Sequence, residues 1–141
     1  MDARAIVDTG FVVALWDRHD PWHSWAVATA SKLRGPWLTC EGCVSEMAFL
    51  LGDSLGPSAV IDLYDQIERG FIISQHLLPE ELARVRAETA RYRSRIVDFA
   101  DACLVVLSDR HPRLPLATGD AADFAVYLRG RTARNVITPR E

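Results

Sequence analysis

Short apolar runs rich in β-branched residues alternate with helix-length segments along the whole chain, and this alternation limits the fold more than any other feature. The runs are Ala5-Ile6-Val7, Trp37 to Cys40, Phe71 to Ser74, Leu116 to Thr118 and Asn135 to Thr138. Each is short enough for one strand, and apolar enough to be covered on both faces. Strands that alternate with helices fold as βαβ units, so the pattern predicts a largely parallel α/β sheet with helices on both faces. No repeat or linker divides the 141 residues, a length that suits one domain over residues 1–141.

The segments between strands carry helix punctuation. A helix is expected from about Phe11 to Trp16, and a second opens at Asp20-Pro21 and stops at Gly35-Pro36. A third runs from about Cys43 to Leu51, with Val44, Met47, Ala48 and Leu51 as its apolar stripe. A fourth covers about Ser58 to Glu68. Pro79 opens a fifth, with Leu82, Val85, Thr89, Tyr92 and Ile96 on one face and Arg84, Glu88, Arg91 and Arg95 on the others. Asp98 caps a sixth helix and Gly119-Asp120 precedes a last one, Ala121 to Leu128. The four tryptophans, Trp16, Trp22, Trp25 and Trp37, read most simply as core or half-core residues.

Several function classes are disfavoured. No stretch reaches the roughly 18 apolar residues of a membrane span, and the N-terminus lacks a basic segment before an apolar one, so a cytoplasmic protein is expected. Three cysteines are too few and too uneven for a disulfide framework. Cys40-x-x-Cys43 has no second pair to complete a zinc site and reads as two small buried thiols. His19 and His23, four apart, lack a third ligand nearby. The net charge of −3 leaves phosphate-bearing substrates open: if four of the 19 acids neutralise a metal, 15 acids face 16 basic residues.

The acids carry the chemistry. Asp8 follows the first strand and Asp120 follows the fourth, while Glu46 and Asp101 fall in the opening turns of helices. In an open α/β sheet these places converge outside the carboxyl ends of the strands, near the point where strand order reverses. Two carboxylates ~4 Å apart repel by about 4 kcal/mol at an effective dielectric of ~20. A hard divalent cation removes that repulsion, and all-oxygen ligation points to Mg²⁺, with Mn²⁺ able to substitute. A water on such an ion is a natural nucleophile for a phosphodiester.

These residues resemble the PIN-domain ribonucleases, and among them the VapC toxins of bacterial VapBC toxin–antitoxin pairs. The matching pieces are Ile6-Val7-Asp8-Thr9, Val44-Ser45-Glu46-Met47, Phe99-Ala100-Asp101-Ala102, and Thr118-Gly119-Asp120 followed by Asp123-Phe124. The resemblance implies a PIN-like three-layer sandwich with sheet order 3-2-1-4-5. It implies Mg²⁺-dependent endoribonuclease activity, an RNA substrate, a homodimer, and inhibition by a cognate VapB antitoxin. It makes Asp8, Glu46, Asp101 and Asp120 the catalytic, metal-binding acids. Asp98 and Asp123 match secondary acidic positions, and Thr9 matches the hydroxyl position. The chain departs from the family in having Ala121-Ala122 where basic residues often follow the fourth acid. Apolar surface for the antitoxin is expected near Trp16 to Trp25 and at Phe49-Leu50-Leu51.

Two other readings use the same acids. A phosphoacceptor receiver domain needs an acceptor Asp at the third strand and a Lys near the end of the chain. Here Gln75-His76 follows that strand and the only Lys is Lys32. A catalytically silent PIN-like interaction module is the remaining alternative.

Overall fold

The structure, a computed structural model, describes residues 2–92, 97–128 and 135–139. Arg95 and Ile96, assigned above to the fifth helix, lie outside the described residues. The described residues contain a five-stranded sheet of order β3-β2-β1-β4-β5 with every neighbouring pair parallel. The strands are β1 (Ala5–Val7), β2 (Trp37–Cys40), β3 (Ile72–Gln75), β4 (Leu116–Ala117) and β5 (Val136–Ile137). The order is the one expected from the sequence.

The central strand β1 is buried along its length and lies in register with both neighbours, Ile6 opposite Leu38 on one side and Leu116 on the other. From β1 the chain steps outward through β2 to β3, then returns to place β4 on the other side. The strand order therefore reverses between β1 and β4, the place where open parallel sheets leave a crevice.

Helices α1 (Thr9–Trp16), α2 (His23–Leu33), α3 (Glu41–Leu55) and α4 (Pro57–Glu68) connect the first three strands. Helices α5 (Leu82–Arg91), α6 (Phe99–Arg110) and α7 (Ala121–Tyr127) make the remaining connections. Right-handed crossovers place the two groups on opposite faces of the sheet. Each face has its own aromatic cluster. Phe11 packs edge-on against Trp25 and Trp37, and Trp37 against Phe71. On the other side Phe124 and Tyr92 pack against Tyr127. The fully buried Ile6, Leu38, Met47, Leu51, Leu104 and Leu116 fill the space between sheet and helices.

Three expectations need correction. The second helix starts at His23, not at Pro21, because the Asp20 carboxylate accepts the Trp22 N–H at 2.8 Å and closes a turn first. Pro79 opens a single 3₁₀ turn, Pro79–Glu81, and α5 starts after it. Leu82 then points to solvent, and Val85 is the buried residue of α5. Of the four tryptophans Trp37 is buried, Trp16 and Trp25 are half-buried, and Trp22 is exposed. No helix among the described residues is long and apolar enough to cross a membrane.

Candidate metal centre

The site is built at the carboxyl ends of β1 and β4. Asp8 follows β1 directly and caps α1, its Oδ1 accepting the Thr9 N–H at 2.7 Å. Its Oδ2 accepts the Thr118 hydroxyl at 2.6 Å. Thr118 is fully buried past the end of β4, and its Oγ1 also accepts the Asp120 N–H at 2.9 Å. One threonine thus ties the turn that carries Asp120 to the carboxylate of Asp8. Asp120 in turn caps α7, accepting the Asp123 N–H at 3.1 Å.

Two further helices bring in the remaining acids. The Thr9 hydroxyl donates to Glu46 Oε1 at 2.9 Å and so pins α3 to the start of α1. Asp98 caps α6 by accepting the Ala100 N–H at 2.8 Å, which sets Asp101 in the first turn. The amino-terminal ends of α1, α6 and α7 all bear acids here, where helix dipoles favour the ionised form. Close approach of α3 to α6 is possible because position 42 is glycine. A Cβ there would stand 3.1 Å from Ala100 Cα.

Asp8, Thr9, Glu46, Asp98, Asp101 and Asp120 all line one hollow of about 370 Å³. Asp123, the seventh residue singled out in the sequence, stands at its margin. Its carboxylate, with those of Asp101 and Asp120, places ligand oxygens within 4.8 Å of one another. The tightest trio of acids among the described residues therefore includes a position assigned a secondary role above.

The electrostatics fit a cation. Burial pushes Asp8 up to about 6, and Glu46 and Asp120 add repulsion. The hydrogen bonds from Thr118 and Thr9 pull it part of the way back. Asp101 is pushed up to about 7, first by burial and then by the charges of Asp8, Asp98, Glu46 and Asp120. Glu46 is raised by burial, while its bond from Thr9 holds it down and Asp98 repels it. A group of oxygens that resist ionising together suits a hard divalent ion, which removes both burdens at once.

Of the nitrogen and sulfur candidates, only the Cys43 thiol reaches the acids, donating to Asp8 Oδ1 at 4.0 Å. His23 Nδ1 lies 2.7 Å from the Ala14 carbonyl oxygen. Cys40 and Cys43 are buried free thiols with their sulfurs 3.5 Å apart.

No family model matches the sequence, and no curated protein matches it. Solved structures do. VapC20 from Mycobacterium tuberculosis, a toxin that cleaves the sarcin–ricin loop, superposes with a TM-score of 0.76 at 20% identity, covering 92% of this chain and 98% of that one. FitAcB from Neisseria gonorrhoeae superposes with a TM-score of 0.65 at 14% identity, over 96% of each chain. The chain has the PIN-domain fold.

Within this PIN fold, four lining residues of the hollow were not singled out in the sequence: Gly10, Asp20, Trp22 and Gly119. Gly10 and Gly119 adjoin the predicted acids, and adjacency alone could have flagged them. Asp20 and Trp22 sit in the turn between α1 and α2, and nothing in their local sequence points toward β4. Only the packing of α2 beside α1 brings them there.

Proposed function

We propose that the chain, as a single PIN domain over residues 1–141, is a metal-dependent endoribonuclease and the toxin of a type II toxin–antitoxin pair. One observation carries the reading: carboxylates from the end of β1, from α3, from the start of α6 and from the turn after β4 face one hollow at the switch point of the sheet. The likeness to VapC20, a toxin that cleaves the sarcin–ricin loop, supports the toxin and the RNA substrate.

Asp8, Glu46, Asp101 and Asp120 would hold the ion, Mg²⁺ or in its place Mn²⁺, with Asp98 and Asp123 beside them. Such an ion, when bound, supplies a water of lowered pKa and neutralises charge on the phosphoryl oxygens. The chain itself does the positioning. Thr118 and the Thr9 N–H hold both oxygens of Asp8, and the Thr9 hydroxyl holds Glu46. The caps Asp98 and Asp120 fix the first turns from which Asp101 and Asp123 project. The net reaction adds water across a P–O bond and leaves two shorter strands.

The partner surfaces follow from exposure. Phe49 is 72% exposed on α3 and Ile61 65% exposed on α4, with Leu50 and Tyr64 near them in sequence. An apolar face of this kind suits a VapB antitoxin helix or a second copy of the chain. Leu51, grouped with Phe49 and Leu50 in the sequence reading, is fully buried and belongs to the core.

The deciding experiment is cleavage of RNA by the purified chain with Mg²⁺, beside Asp8→Asn and Asp101→Asn. Both variants should lose cleavage and should relieve growth arrest on expression. Cleavage that persists in both variants with EDTA present would reject the nuclease and favour a catalytically silent interaction module.

A further inference from the structure

The acidic hollow is short of what usually holds RNA. Every charged side chain that lines it, among the described residues, is a carboxylate. A phosphate strand finds no Arg or Lys on these walls, so the chain's own electrostatics there oppose binding. From these walls, the grip beyond what a bound ion supplies comes from contacts that carry no charge.

Two exposed aromatic side chains stand where such contacts can form. Trp22 is 36% exposed and lines the hollow beside Asp20 and Gly119. Its backbone is fixed by the bond to Asp20, and its Cδ1 lies 3.9 Å from where a Cβ at Gly119 would be. The indole therefore rests over the turn that leads into Asp120. Phe99 is 55% exposed at the first position of α6, between the caps and ligands of that helix. It lines an adjoining hollow of about 430 Å³ that shares Glu46 and Asp98 with the first. One aromatic ring thus belongs to each part of a joined acidic cleft, on rigid backbone in both cases.

We infer that Trp22 and Phe99 are stacking platforms for two unpaired nucleobases of the substrate. The inference deepens the nuclease reading and rests on it. Bases in an A-form duplex are already stacked and paired, and the shallow groove offers nothing for a ring to cover. Bases of an open strand present a π-face whatever their identity, which is how aromatic platforms hold such strands without strong sequence preference.

The test compares cleavage of a single-stranded oligoribonucleotide by the parent chain, Trp22→Ala, Trp22→Phe and Phe99→Ala. Trp22→Ala should lower kcat/KM by roughly 10- to 100-fold, mostly through KM, and Trp22→Phe should recover most of that loss. An abasic ribose at the stacked position should cost the parent as much, and should cost Trp22→Ala nothing more. The thermal stabilisation by Mg²⁺ should be the same in all four proteins, because neither ring holds the ion. Binding is read separately by tryptophan fluorescence, with Ca²⁺ as the ion and the same oligoribonucleotide as the quencher. Quenching seen in the parent should be absent in Trp22→Phe. Cleavage with unchanged KM in Trp22→Ala and Phe99→Ala, or faster cleavage of the duplex form, overturns the stacking inference and leaves the nuclease standing. Quenching lost in Trp22→Phe, in a chain that cleaves no RNA, keeps the platform and overturns the nuclease. Neither quenching nor cleavage overturns both.

Discussion

Replacing Asp8 by Asn should make the metal-free protein more stable, and the gain should depend on pH. Asp8 is only 6% exposed, and burial lifts its carboxyl from the ordinary value of 3.8 to about 6. The lifted value means that folding favours the protonated form. Below about pH 4 both folded and unfolded chains hold the proton, and the full stability is present. As pH rises through 6 the folded chain must give up a proton that the unfolded chain lost earlier, so stability falls. A rise of about two pK units corresponds to roughly 3 kcal/mol, fully lost above pH 7. Asn mimics the protonated acid. Its carbonyl can accept the Thr9 N–H, and its amide can donate to Thr118 Oγ1.

Asp8→Asn should therefore match the parent in thermal unfolding near pH 4 and exceed it at pH 8 in EDTA. A gain of roughly 3 kcal/mol corresponds to about 10 °C in Tm for a domain of this size. Divalent ion should reverse the ranking. At one thousand times its Kd an ion stabilises the parent by about 4.1 kcal/mol, more than that deficit, and the variant should gain much less. Calorimetric scans at pH 4, 6 and 8, with EDTA and with Mg²⁺, read all of this from two proteins. A gap between the two proteins that stays constant across pH would refute the argument, because it would mean the charge on Asp8 carries no burden in the fold.

The remaining expectations concern the groups around the acids. Thr118→Val strips Asp8 Oδ2 of its donor and the Asp120 N–H of its acceptor, so it should cost about 1–3 kcal/mol in thermal unfolding and weaken the response to Mg²⁺. Thr9→Val frees Glu46 from the bond that holds its pKa down; cation affinity by calorimetric titration should fall more at pH 6 than at pH 8. Divalent-ion binding to the parent should release protons and tighten as pH rises through 6 to 7, where Asp8 and Asp101 lose theirs. Gly42→Ala should destabilise by about 1–3 kcal/mol despite the higher helix propensity of Ala, since its Cβ would meet Ala100 Cα at 3.1 Å. Gly52→Ala is the control: its Cβ would meet Val60 Cγ2 at 3.3 Å, a side-chain methyl, and should be tolerated.

The sequence was most readable where structure is local. Asp8, Asp98 and Asp120 each cap the helix that follows them, and capping is decided within three residues of chain. Alternation of strand and helix runs likewise predicts a parallel sheet, because βαβ handedness leaves few other solutions. The order 3-2-1-4-5 did not come from periodicity. It came from the resemblance carried by the four acidic motifs, since nothing within a two-residue strand such as Leu116–Ala117 says which neighbour it will choose. The same limit explains Trp22. A tryptophan just ahead of an amphipathic helix looks like core from composition, but it sits before the first turn and so never joins the helix's buried face. It explains Thr118 most clearly. In the sequence this residue ends a strand and opens the Thr118-Gly119-Asp120 motif, with no role assigned to its hydroxyl. In the fold it meets a carboxylate 110 positions away and holds two acids in place with one hydroxyl. That role exists only once β4 has docked beside β1, so an acidic site of this kind is assembled by the sheet and not by any segment of it.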